Sequence, residues 1–116
     1  MFELLHGGES IGRARLESGD PAAGSVSGVF INLGGAKALA RWIKSVGGQE
    51  EDGAVFISMD QDFVLHDSEG ETVQFAEGTL ISVPAEDETF VELNGISSQD
   101  YRTHFSAHLA AMSNEP

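Results

Sequence analysis

The chain has 116 residues, 19 of them acidic and 6 basic, no cysteine, and a formal net charge of −13. That is the length of one ordinary domain, and 41% apolar residues suffice for a core, so wholesale disorder is excluded. No apolar run reaches the roughly 18 residues of a membrane span, and the lack of thiols excludes disulfides, iron–sulfur clusters, cysteine nucleophiles and thiolate zinc sites.

Phe2–Leu5 reads as a short strand, followed by a Gly7–Gly8 turn; Met1 to Glu9 carries neither the basic start nor the long apolar stretch of a secretory signal. Ser10 to Glu17 alternates small or apolar positions (Gly12, Ala14, Leu16) with charged ones (Arg13, Arg15, Glu17), the pattern of a half-buried antiparallel strand. Asp20–Pro21 breaks it. Ser25 to Leu33 is apolar on both parities near its end, which predicts cover on both faces. After Gly34–Gly35 the period changes to 3.6: Ala36, Leu39, Trp42, Ile43 and Val46 share one helical face, and Lys37, Arg41 and Lys44 the opposite one, with Gly47–Gly48 as the stop. Ala54–Met59 is again two-sided, and Phe63–Leu65 and Thr72–Ala76 flank a turn at Asp67–Gly70 as a hairpin. Thr79–Val83 and Thr89–Leu93 are the last strands. Ser97 or Ser98 then caps a second helix whose apolar face is Tyr101, Phe105, Leu109 and Met112. Strands outnumber helices and most links are of hairpin length. The expected fold is α+β: a mostly antiparallel, strongly curved sheet of about 7–8 strands, with two helices (about 36–46 and 98–112) packed on one side. Residues 1–112 form a single domain in this reading, with a frayed tail at 113–116.

Charge is distributed unevenly. Residues 1–44 are close to neutral, whereas residues 45–101 hold fourteen acids and no Lys or Arg. The acids group as Glu50–Glu51–Asp52, Asp60 with Asp62, Asp67–Glu69–Glu71 and Glu86–Asp87–Glu88, with apolar runs between, so they read as loops on a folded sheet. Solubility is the plain account of such loops. The sharper one is a surface that recruits a basic partner, since opposite charge speeds encounter by ~10–10³-fold at low salt. The same acidity argues against nucleic acid or an anionic membrane as a partner.

Motifs for other chemistry are incomplete. Asp100, His104 and His108 recur every four residues and could chelate a metal, but the zinc-peptidase pattern needs Glu where Phe105 stands, so half-buried packing is the expected role and no metal is assigned. Gly34–Gly35 before Lys37 lacks the spacing of a phosphate loop. Gly24–Gly28 has Val26 where a nucleophile elbow needs Ser. Neither Asp60–Leu65 nor Asp67–Glu71 places its glycine and oxygens as a calcium loop does. His6 and His66 have no partners that make a triad.

In size, acidity and α+β pattern the chain resembles the small immunity and antitoxin proteins that neutralise basic toxins, a resemblance that implies a non-enzymatic binding role. The expectation is a cytoplasmic interaction module without cofactor, whose grouped acids (Glu50, Glu51, Asp52, Asp60, Asp62, Asp67, Glu69, Glu71, Glu86, Asp87, Glu88) pair with Lys and Arg of a basic protein around a dry centre of Phe or Met. The alternative is a small enzyme or ligand-binding domain with a sheet–helix pocket lined by His66, Tyr101, His104 and His108. Because two strands look apolar on both faces while helices cover only one, the second face is expected to be covered either by the sheet folding over on itself as a half-barrel or by a second copy in a homodimer.

Overall fold

The computed structural model describes residues 1–32 and 34–105. The elements are β1 (Phe2–His6), β2 (Glu9–Asp20), β3 (Ser25–Ile31), α1 (Gly35–Ser45), β4 (Gln49–Glu51), β5 (Ala54–Ser58), β6 (Phe63–His66), β7 (Thr72–Val73), β8 (Glu77–Val83), a 3₁₀ turn (Pro84–Glu86), β9 (Glu88–Asn94) and α2 (Ser98–His104). The class is α+β. All pairings are antiparallel and join nine strands into one sheet, in the order β4-β5-β8-β9-β3-β2-β1-β6-β7. The sheet does not close, leaving β4 and β7 as its edges. The expected strand number was thus too low by β4, and Thr72–Ala76 contracts to Thr72–Val73. The end of the expected strand at Leu33, the extension of the second helix to 112, its residues His108, Leu109 and Met112, and the tail 113–116 lie outside the described residues.

Alternation assigns the faces. On β2, Ala14 and Leu16 are buried while Arg13, Arg15 and Glu17 are exposed. On β9, Thr89, Val91 and Leu93 point inward, and on β8 their cross-strand neighbours Ser82, Leu80 and Gly78 do the same. Leu4, Val26, Phe30, Val55, Leu65 and Val73 complete this inner face. α1 covers it with Ala36, Leu39, Ala40 and Ile43, leaving Lys37, Arg41 and Lys44 in solvent as the helical period requires. α2 adds Tyr101, whose hydroxyl donates to the Ser25 carbonyl (3.1 Å), and Phe105, whose ring stacks on Phe2 at 4.9 Å. Ser97 caps α2, its hydroxyl accepting from the Asp100 amide. α2 ends at His104, one residue before Phe105, which the longer expected helix had included.

The outer face of the sheet is different. Val29 is 48% and Ile31 43% exposed, and Phe56, Ile81, Val83 and Phe90 are half-buried. Both described helices lie on the inner side. The two-sided apolar strands of the sequence therefore present an apolar outer band.

One buried polar side chain ties α1 to the sheet, and a second joins β9 to β3. Ser82 Oγ donates to the Ala36 carbonyl at 2.6 Å, and the Thr89 hydroxyl donates to the Phe30 carbonyl. No side chain of α1's own N-terminal residues caps the helix; Asp87 Oδ1, 51 residues away, accepts the Ala36 amide at 3.2 Å. A carboxylate there satisfies an otherwise orphaned donor and sits favourably against the helix dipole.

Candidate interaction surface

The strand register brings the first and last acidic groups together. Glu51 pairs with Ala54, Val55 with Ser82, and Val83 with Glu88. Glu51, Ala54, Val83 and Glu88 therefore make one outward row across β4, β5, β8 and β9. Just beyond that row the β4–β5 turn at Asp52–Gly53 lies beside the 3₁₀ turn Pro84–Glu86. Glu51, Asp52, Glu86, Asp87 and Glu88 are all exposed and converge on this end of the sheet. A cleft of about 300 Å³ opens at the same end, and its walls include Val29, Ile31, Phe90, Asp87 and Glu88. Exposed apolar side chains and carboxylates thus share one surface.

The other acids are placed elsewhere, and several have local partners. Glu50 turns to the inner side and meets Lys44 Nζ at 2.7 Å, a half-exposed pair worth about 0–1 kcal/mol. Asp60 Oδ1 accepts the Asp62 amide (2.9 Å) in the β5–β6 link. Asp67 Oδ1 accepts the Glu69 and Glu71 amides, both at 2.9 Å, and so folds the β6–β7 turn, next to the edge opposite β4. Glu69, Glu71 and Asp62 remain exposed. A cleft of about 420 Å³ between these loops is walled by Met59, Asp60, Phe63 and Phe75, so this wing also joins acid to apolar surface.

The histidines do not converge. His104 Nδ1 lies 2.9 Å from Asp67 Oδ2 with its side chain only 4% exposed, and the pair locks α2 to the β6–β7 turn. The amides of Glu71 and Glu69, together with His104, hold the Asp67 carboxyl below its ordinary value of 3.8, against an opposing effect of burial. Asp67, Glu71 and His104 offer ligand atoms within 4.8 Å of one another. This is a different trio from Asp100, His104 and His108, and Asp67 already spends both oxygens on hydrogen bonds, as a satisfied structural ion pair does. His6 packs edge-on against Trp42 and Phe63, with ring centroids 5.1 and 4.7 Å away. His66 stands in β6 opposite Glu3 and Thr72. Burial pushes the Tyr101 hydroxyl's pKa up, with a smaller contribution from Asp20. A third cleft, about 610 Å³, lies between the β1–β2 hairpin and α1, with Glu9, Arg13, Leu39 and Trp42 among its walls. No histidine lines any of the three clefts described here.

Sequence reasoning expected carboxylates beside apolar side chains, but not which of them adjoin. The register that seats Ile31 and Phe90 beside Glu88 is set by long-range pairing. No known family model, curated protein or solved structure matches the chain. Among the described residues no helix is long and apolar enough to cross a membrane.

Proposed function

We propose that this protein is a small, non-enzymatic interaction module of the cytoplasm that holds a basic protein partner through its acidic loops, in the manner of an immunity protein, an inhibitor or an adaptor. The observation that carries the reading is the convergence of Glu51, Asp52, Glu86, Asp87 and Glu88 on the end of the sheet where a cleft walled by Val29, Ile31, Phe90, Asp87 and Glu88 opens. Carboxylates at the rim steer a cationic partner and set orientation, while the apolar floor supplies the desolvated centre that gives an interface its lifetime. A negative surface of this kind disfavours nucleic acid, whose phosphates it repels. Asp87 has a second duty, since its carboxylate also caps α1, so a partner that engages it reads a rigid position and not a free loop.

The reading is supported by weak internal neutralisation. Among the described residues the ion pairs of these acids are Lys44–Glu50 and His104–Asp67, which leaves the acidic end with unspent charge. Affinity capture from native lysate at low salt, followed by elution in rising NaCl, tests it. A basic protein that is retained and then released by salt is expected. A retained set that is neutral or acidic, or that ignores salt, contradicts it.

A further inference from the structure

We infer that the outer face of the sheet packs against the same face of a second copy, about a two-fold axis parallel to the strands. The inference does not rest on the proposed function: the face shares Val29, Ile31, Phe90, Glu51 and Glu88 with the surface described there, so a second copy and a basic partner compete for it.

The register defines two outward rows over six consecutive strands. Gln49, Phe56, Ile81, Phe90, Val29 and Arg15 form one, from β4 to β2. The other starts at Glu51 and ends at Arg13, with Val83 and Ile31 between them. The band is therefore apolar at its centre, acidic at the β4 end and basic at the β2 end. Arg13 and Arg15 are exposed, and among the described residues neither is in an ion pair, although Glu3 of β1 stands opposite Arg13 in the register. An apolar band flanked by opposite charges is self-complementary under one rotation and not under the other.

A two-fold axis along the strands, between β8 and β9, lays β4 over the partner's β2, β5 over β3 and β8 over β9. Glu51 then faces the partner's Arg13, Phe56 faces Val29 and Ile81 faces Phe90, each contact occurring twice by symmetry. Of the other acids of the face, Glu77, Glu88 and Glu92 fall opposite the neutral Asn94, Val83 and Thr79. An axis across the strands, along the Phe90 row, puts Arg15 on Arg15 and Glu88 on Glu92. Like charges directly opposed are penalised, so the charges select the first arrangement. It is also the aligned packing that twisted sheets favour, with faces about 10 Å apart, a gap that Glu and Arg side chains bridge. Since rotation about a strand-parallel axis preserves strand direction, both acidic ends point the same way.

Light scattering and sedimentation of the full chain test this. The expected mass is twice 12.3 kDa at micromolar concentration. Arg13→Glu is expected to raise the dimer dissociation constant at least about tenfold, and Val29→Lys to do the same by spoiling the apolar centre. Arg13→Glu combined with Glu51→Arg is expected to restore the dimer. All three positions are exposed, so the variants retain the fold, which circular dichroism checks. A monomeric mass up to about 100 μM overturns the inference. So does a dimer indifferent to Arg13→Glu, or one that the double exchange fails to rescue.

Discussion

At the scale of single residues, Gly28 and Asp67 show how a position acquires its meaning from the chain opposite. The β2–β3 ladder shifts register between Arg15 and Ser18, and a Cβ on Gly28 would stand 1.5 Å from the Arg15 carbonyl oxygen. Backbone cannot yield as a side-chain tip does, so Gly28→Ala is expected to destabilise by about 1–3 kcal/mol or more, read from chemical denaturation. Unchanged stability would mean that the bulge is not where the register puts it. Asp67 makes a prediction about pH. Its folded-state pKa is depressed, so the stability it contributes is present above 3.8 and is lost as pH falls through the lower folded value. Asp67→Asn keeps an oxygen for the Glu69 and Glu71 amides but loses the charge facing His104. The variant is expected to be less stable than the parent at pH 7, the gap closing toward pH 3; an equal gap at both pH values would remove the carboxylate from the account. The need for a glycine at 28 and the link from Asp67 to His104 were not legible in the sequence, because each depends on a partner far along the chain.

At the scale of elements, period was a good guide and charge a poor one. The 3.6 period located α1 to within a residue at each end, because Leu39 and Ile43 must sink between strands that offer them apolar partners. Leu39→Ala is expected to cost ~2–5 kcal/mol through the cavity it leaves, and Lys37→Ala to stay within about 0.5; equal effects in thermal melts would contradict the burial of that face. β4 was hidden in the Glu50–Glu51–Asp52 run, which reads as a loop. The signal was there: Asp52 and Gly53 both take positive φ, 52° and 83°, the signature of a two-residue hairpin turn that Asp–Gly favours. The reverse error occurred at Gln74–Ala76, where a strand pattern continues past the point at which pairing stops. Of the expected site, the carboxylates themselves were plain from composition. That Glu50 turns to Lys44, that Asp87 caps a helix, and that only the first and last groups adjoin are consequences of register.

At the scale of the whole molecule, the α+β class followed from element order, while the sheet order and its open edges are long-range facts that no local pattern contains. The net charge of −13 acts here. Fourteen acids between residues 45 and 101 find few cations, and the basic ridge of α1 contributes one half-exposed contact to Glu50. Screening shortens their mutual repulsion to about 8 Å at physiological ionic strength, so Tm is expected to rise as NaCl is added from zero to about 0.5 M. A flat or falling Tm would mean the acids are already neutralised. The central claim is that the unspent charge at one end of the sheet is a binding surface. It is tested most directly by repeating the low-salt capture with Asp52→Asn, Glu86→Gln and Glu88→Gln combined, beside a control that carries Asp62→Asn, Glu69→Gln and Glu71→Gln. Loss of the basic partner in the first variant, with retention in the second, is the predicted result; equal retention of that partner by both variants would contradict it.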